Sequence, residues 1–295
     1  MPDTLIKATA ADGRIRAVAA FTTETVNEAC RRHATSPTAS AALGKALGAG
    51  LLVASATMKD PRGSLTIRVM GDGPLGLILV DARANGAVRG YVSRPDTYLP
   101  PTPHGTLDVG GAVGRTGTLA ITHDNGLGGQ PYTGTVELVS GELGEDFTHY
   151  MATSMQTPSA LSLGIFVQPS GEVEVSGGLL VQLMPDAGDE IAERLEETLS
   201  KLPSFTQLAR QYGSLDQILH AALSGFAVEI LHTEESVRFE CPCSTDRVMR
   251  ALASLGPTEI REIIEEQGQA EATCHFCNEQ YVVSREQLEE LLVNQ

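Results

Sequence analysis

Cys241 and Cys243 stand one residue apart in "FECPCSTD", and Cys274 and Cys277 stand two residues apart in "CHFCNEQY". The chain of 295 residues carries only one other cysteine, Cys30. Thiolates are soft ligands, and two pairs of them from separate turns can close a tetrahedron around zinc. C-x-x-C is a familiar zinc-knuckle spacing; C-x-C is the tighter and less common half. The expectation is one zinc ion held by Cys241, Cys243, Cys274 and Cys277 as thiolates. Its binding would supply folding free energy on the order of 10 kcal/mol. His275 sits inside the C-x-x-C and is expected to point elsewhere.

The elements around these cysteines are short. "VRFECPC" is strand-like, "STDRVMRALASLG" and "PTEIREIIEEQG" are helical, "AEATCHFCNEQYVV" forms a hairpin and "SREQLEELL" a last helix, with Ser244 and Ser284 as N-caps. This gives a C-terminal module over 236–295 that is too small for a strong core and needs a staple. Before it, residues 185–235 have apolar positions at helical spacing and an acidic first turn at Asp189 and Glu190. They are expected to form an amphipathic helical connector. Residues 1–184 alternate strand-like runs such as "SLTIRVM", "LGLILVDA" and "YTGTVELV" with turns and a few helices. The fold class is α+β: an antiparallel-rich N-terminal sheet domain with packed helices, a helical connector and a small zinc module.

The spacing also bears on oxidation. A metal joining 241 and 243 to 274 and 277 clamps a long loop shut. Disulfides between sequence neighbours would close only tiny loops, restrict the unfolded chain little and leave the two pairs untied. Links between the pairs would keep the tie. Sequence leaves the pairing open; under neighbour pairing, oxidation would cost the module its cross-link and unfold it.

Composition excludes several classes. The net charge of −16 repels phosphate backbones. Residues 241–295 alone hold four Arg and no Lys against ten Asp and Glu, so a nucleic-acid-binding ribbon is not expected. The N-terminal "MPDTLIKATAADGR" lacks a basic head followed by an apolar run, and "AALGKALGAGLLVASATM" contains Lys45 and many small residues. The first is not expected to act as a signal peptide, the second is expected as a buried helix rather than a membrane span, and the expected location is therefore cytoplasmic. "GDGPLG" at 71–76 has no helix after it and is expected as a hairpin turn rather than a dinucleotide loop. No P-loop, H-E-x-x-H or G-x-S-x-G is present, and the histidines at 33, 104, 123, 149 and 220 have no ligand spacing. Glu145, Asp146 and His149 in "GEDFTH" are expected on a solvated helix face, and Cys30 as a buried small residue. The protein is not expected to be an enzyme.

"FECPCSTDRVMRALASLG" and "AEATCHFCNEQYVVSREQLEELL" resemble the zinc module of the heat shock protein 33 family, the bacterial redox-regulated chaperones also called 33 kDa chaperonins. "GLGGQPYTGTVELVSGELGEDFTHYMATSMQTPSALSLGI" is similar to the most recognisable stretch of that family's large domain, and the resemblance runs over nearly the whole chain. It implies an ATP-independent holdase, zinc-bound and inactive when reduced. Oxidants would form the disulfides Cys241–Cys243 and Cys274–Cys277 and release zinc. The module and connector would then loosen, homodimers form, and unfolded client proteins be held. Client contact is expected around Leu195, Leu199, Leu208, Tyr212, Ile218 and Phe226, the apolar stripe of the connector. Pro242 between the first two cysteines would bear on the strain of a Cys241–Cys243 bond.

Two other readings differ in what they predict. A constitutive zinc-ribbon binding protein would keep its metal under peroxide. A disulfide oxidoreductase using Cys274 and Cys277 would place them at a helix N-terminus in a βαβ setting, which the hairpin reading contradicts.

Overall fold

A computed structural model describes residues 2–293, the side chains of 232–234 and 293 excepted. The chain divides into two compact units, Met1–Glu240 and Cys241–Gln295. In the first, β1 (Thr4–Ala10) and β2 (Ile15–Phe21) lead into α1 (Thr23–His33) and α2 (Pro37–Thr57). β3 (Ser64–Gly71), β4 (Leu77–Arg83), β5 (Ala87–Val92), α3 (Val109–Val113), β6 (Gly117–Asp124) and β7 (Tyr132–Glu137) follow. Then come α4 (Leu143–Thr153), β8 (Ser159–Val167) and β9 (Val173–Leu183). α5 (Asp189–Ser200), α6 (Phe205–Tyr212), α7 (Leu215–Ala222), β10 (Val228–Ser236) and β11 (Arg238–Phe239) complete the unit. The strands make a five-stranded sheet in the order β10-β1-β2-β9-β8 and a six-stranded sheet in the order β11-β5-β4-β3-β6-β7. The α+β class holds, with two sheets where the strand runs suggested one. "GDGPLG" is the turn between β3 and β4.

The main core forms where α2 meets strands of both sheets. Ser36 caps α2 by accepting the Ala39 N–H at 3.3 Å, and Pro37 occupies the first turn, where its missing N–H costs nothing. By length and composition this helix could cross a membrane, but it is almost wholly buried in this unit. Its small residues allow that. A Cβ at Gly50 would lie 3.0 Å from Ile67 and 3.2 Å from Val80, so the helix runs nearer the strands than a larger residue permits.

The five-stranded sheet is buried on both faces. β2 turns Val18 and Ala20 toward the α2 core and Ile15, Ala17, Ala19 and Phe21 toward a second core. A strand covered on both sides needs apolar residues at successive positions, which "IRAVAAF" supplies. The second core is closed by α5, α6 and α7, which bury Leu195, Phe205, Leu208, Leu215 and Ile218. Phe205 is fully buried and meets Phe21 edge-on, with ring centroids 6.0 Å apart. Its ring lies where a side chain on Gly177 would be: a Cβ there would fall 2.7 Å from Phe205 Cε1 and run into the Ala20 carbonyl oxygen.

Three features differ from the sequence expectation. Residues 4–10, assigned no element from sequence, are β1. Residues 228–235, read as the end of the helical connector, lie in β10, which pairs antiparallel with β1 from Thr4↔Ser236 to Ala10↔Val228. Val228 and Ile230 pack on the second core, and so short a period-two run is easily absorbed into a preceding helical stripe. Residues 236–239, assigned to the C-terminal module, also belong to the first unit: Arg238 and Phe239 pair in parallel with Ala87 and Val88, and the Arg32 guanidinium lies 5.4 Å from the Phe239 ring centre. The compact second unit therefore starts at Cys241.

"GEDFTH" also departs from the reading as a solvated face. Glu145 is exposed, but Asp146 is fully buried. Its Oδ1 accepts the N–H groups of Val139 and Ser140 at 2.7 and 3.2 Å, a carboxylate spent on tying the preceding turn to α4. Cys30 is buried as expected, and burial pushes its thiol up.

The second unit contains α8 (Thr245–Ala253), α9 (Pro257–Glu266), the hairpin β12 (Ala270–Thr273) and β13 (Gln280–Val283), and α10 (Arg285–Val293). Ser244 caps α8 by accepting the Arg247 N–H at 3.3 Å. Ser284 exchanges bonds with Gln287 at the start of α10, donating its N–H to Oε1 at 3.0 Å and accepting the Gln287 N–H at 3.4 Å. The buried apolar core of this unit is Ile260, Ile264, Ala270, Val283 and Leu288.

Phe205→Ala removes the largest anchor of the α5–α7 layer and leaves a cavity beside Gly177. We expect a loss of about 3–5 kcal/mol in the stability of the first unit, read from the midpoint of urea unfolding.

Candidate metal centre

The first cysteine pair lies in the turn before α8. Arg247 in α8 donates from Nη1 to the Pro242 carbonyl at 3.0 Å and so fixes the path between Cys241 and Cys243. The second pair lies in the loop of the β12–β13 hairpin. Cys274 N–H donates to the Glu279 carbonyl at 2.9 Å, and Asn278 N–H donates to the Cys274 carbonyl at 2.7 Å. Asn278 takes the left-handed backbone conformation, φ 58°, that asparagine tolerates better than most residues. The tight loop turns both sulfurs to one side.

All four sulfurs lie within 4.8 Å of one another. Cys241 Sγ is 3.7 Å from Cys274 Sγ, and Cys243 Sγ is 3.2 Å from Cys277 Sγ. Four thiolates at the usual zinc–sulfur distance would stand about 3.8 Å apart on a regular tetrahedron. The spacing, the all-sulfur donor set and the reduced form of all four cysteines fit a small soft divalent ion. His275 is exposed and stands outside the cluster. The pair lies in a hairpin loop, not at a helix N-terminus in a βαβ unit, so the setting of a thioredoxin-like dithiol is missing.

Burial favours the protonated thiols of Cys243 and Cys277 until a metal arrives. Burial pushes the Cys243 thiol up, and a hydrogen bond from the Tyr281 hydroxyl works against it. Burial also pushes Cys277 up strongly. The Tyr281 hydroxyl donates to Cys243 Sγ at 2.9 Å, and that bond in turn holds the phenol proton and raises its own pKa. Tyr281 is the residue that sequence reading missed. The signal was available: it lies two positions before the buried Val283 on the same face of a four-residue strand, and four positions after Cys277.

The six residues expected to meet clients lie elsewhere, in the α5–α7 layer. Leu195, Leu208 and Ile218 are buried, and Leu199, Tyr212 and Phe226 are half-buried, all against the second core of the first unit. Their apolar stripe is spent on the sheet.

Known proteins resemble this chain over its whole length. The profile described as Hsp33 protein matches residues 3–284. A 33 kDa chaperonin of Gloeobacter violaceus is 49% identical over 99% of this chain and 96% of its own. One from Geobacillus kaustophilus is 47% identical over 99% of this chain and 98% of its own. The crystal structure of the 33 kDa chaperonin (heat shock protein 33 homolog) of Thermotoga maritima superposes with a TM-score of 0.88 at 34% identity, covering 99% of this chain and 98% of that one. A profile match of that extent, joined to near-half identity from end to end, places the chain in the Hsp33 family of 33 kDa chaperonins.

Proposed function

We propose that this protein is a redox-regulated, ATP-independent holdase whose switch is Cys241, Cys243, Cys274 and Cys277. The observation that carries the reading is the convergence of those four sulfurs from two separate turns. Membership of a chaperonin family supports it. Zinc bound by the four thiolates would act as a cross-link between the C-x-C turn and the hairpin loop, with no catalytic part.

In the reduced state the switch keeps the second unit folded and the chaperone inactive. On oxidation Cys241 pairs with Cys243 and Cys274 with Cys277. Each thiolate pair gives two electrons to one peroxide, which takes two protons from solvent; one S–S bond forms, the O–O bond breaks and two waters leave. The sulfurs then lose their thiolate charge and their grip on the metal. The new bonds span two and three residues of chain, so neither joins the turn to the hairpin. A core of Ile260, Ile264, Ala270, Val283 and Leu288 is too small to hold the unit without that tie.

Client proteins are then held by the apolar surface of the connector. While α5–α7 sit on the sheet, Leu195, Leu199, Leu208, Tyr212, Ile218 and Phe226 are covered, which suits an inactive resting state. If the layer loosens, those side chains and the sheet face beneath them, including Ile15, Phe21 and Leu179, become available together. The activated form is a homodimer, its partners are unfolded proteins rather than nucleic acid or membranes, and its net charge of −16 keeps the complexes soluble. The reducing cytoplasm sets the resting state of the thiols.

Aggregation of a chemically unfolded client, followed by light scattering without nucleotide, tests the reading. Only the peroxide-treated, zinc-free form is expected to suppress it. A chromogenic chelator should report about one zinc ion released per chain, as a four-thiolate site predicts, and peptide mapping should find the two neighbour disulfides. Links between the early and late pairs with the second unit still folded would sink the switch, as would zinc retained by thiols that resist peroxide. Phe205→Ala, which weakens the seat of α5–α7, is expected to give partial suppression without oxidant; full inactivity of that variant would argue against the layer as the gate. Zinc uptake by the reduced metal-free protein at pH 7 should release at least about two protons per ion, because burial holds Cys243 and Cys277 as thiols until the metal displaces their protons. An indicator dye in weak buffer reads this, and uptake without acidification would exclude those two as ligands.

A further inference from the structure

We infer that Tyr281 is a positioning residue that sets the reactivity of Cys243, and with it the threshold of the switch. The inference rests on the four-thiolate reading above. Its basis is one contact: the Tyr281 hydroxyl donates to Cys243 Sγ at 2.9 Å, close for a hydrogen bond to sulfur.

The donor is held by a rigid element. Tyr281 lies in β13 opposite Ala272 of β12. Val283, on the same strand face, is fully buried. The pleat therefore aims the phenol inward while Gln280 and Val282 face solvent. The acceptor is held as well, since Arg247 ties the Pro242 carbonyl beside it. The bond also joins the hairpin strand to the C-x-C turn, the two segments that the cysteines would tie, without using a sulfur–metal link.

A hydrogen bond donated to a metal-held thiolate withdraws charge from the sulfur lone pair. The same class of bond sets reduction potentials in iron–sulfur sites and tunes ligands in other metal centres. The lone pair is also the nucleophile in oxidation. It attacks one peroxide oxygen, the S–O bond forms, the O–O bond breaks, and the second oxygen leaves as hydroxide, with sulfur oxidised by two electrons. Tying up that electron density slows the attack. Because the phenol is neutral, it does so without adding a charge to the cluster. Tyr281 thereby keeps Cys243 from answering low oxidant levels while leaving it a metal ligand.

Tyr281→Phe removes the hydroxyl and keeps the ring. In zinc-loaded protein, iodoacetamide alkylation resolved by peptide mass spectrometry gives the rate at each cysteine, each sulfur displacing iodide as the S–C bond forms. The Cys243 rate, taken relative to the other three, should rise about threefold to tenfold in Tyr281→Phe, the size of one neutral hydrogen bond. Zinc stoichiometry should be unchanged. In cobalt-loaded protein the thiolate-to-cobalt charge-transfer band should move to lower energy, because the sulfur donor orbital rises when the hydrogen bond is lost. An unchanged Cys243 ratio and an unmoved band in a zinc-loaded variant would overturn the inference and leave the switch reading intact. Loss of zinc from Tyr281→Phe would also overturn it, by assigning the hydroxyl to metal retention instead. Wild-type protein that takes up no zinc would defeat both.

Discussion

Everything proposed for residues 241–295 depends on four sulfur atoms lying within 4.8 Å of one another. The rest of the unit has little to replace them. Among the described residues its buried aliphatic core is Ile260, Ile264, Ala270, Val283 and Leu288, α8 buries none of its residues fully, and the Arg285–Glu289 pair at 2.9 Å is exposed. Exposed pairs on a helix are screened by solvent and contribute little, and each buried aliphatic side chain about 1.5–3 kcal/mol. Against the entropy of ordering some fifty residues these sums come out close to balance, as they do for most small modules. A four-thiolate metal site, on the order of 10 kcal/mol, is the contribution large enough to decide the outcome. In the proposed switch it is also the contribution that an oxidant would remove.

The first unit is built on the opposite principle. Its five-stranded sheet is apolar on both faces, and α5–α7 cover one of them with Leu195, Phe205, Leu208 and Ile218. The polar ties between this layer and the sheet are peripheral: Arg210 pairs with Glu174 at 2.8 Å and lies 4.1 Å from the Phe166 ring centre, both partners of the ion pair being about half exposed. Solvent screens such a pair, and it contributes little beside the several kcal/mol for burying Phe205 alone. The layer is therefore held by the hydrophobic effect, which has no directional requirement. A non-native chain offers the same kind of contact. A surface that the protein's own helices can cover is for that reason one that a client can cover.

Sequence made the metal cluster legible and left the sheets obscure, for reasons specific to each. The cysteines announce themselves because thiols are rare here and their spacing is local: two turns suffice to gather four ligands. The Ser244 and Ser284 caps were equally visible, since a cap is decided within four residues. β10 was hidden because its partner is β1, more than two hundred residues away, and nothing within Val228–Ser236 marks that pairing. Two-faced burial of β2 was hidden because "IRAVAAF" fits a strand whether one or both faces are covered. Asp146 was misread because an acidic residue in a helix is usually solvated; its two backbone donors, Val139 and Ser140, come from a turn whose shape no local pattern fixes. Tyr281 was missed because second partners of a metal ligand carry no spacing rule of their own.

A directional site and a non-directional layer in one chain suit a switch of this kind. Hydrophobic burial cannot sense an oxidant, because no bond in it is redox-active. Thiolates can, but they offer clients no apolar area. Placing the proposed sensor in a unit with so small a core would make its folding conditional on the thiolates. Placing the proposed client surface under helices held mainly by burial would make its exposure conditional on the loosening of those helices. The sensor must still ignore the resting redox poise, and for a metal-held thiolate the available controls are its ligands, its burial and its hydrogen bonds. Cys243 receives such a bond from Tyr281, so in the proposed switch the threshold would be adjusted at a residue that is neither a proposed ligand nor part of the proposed client surface.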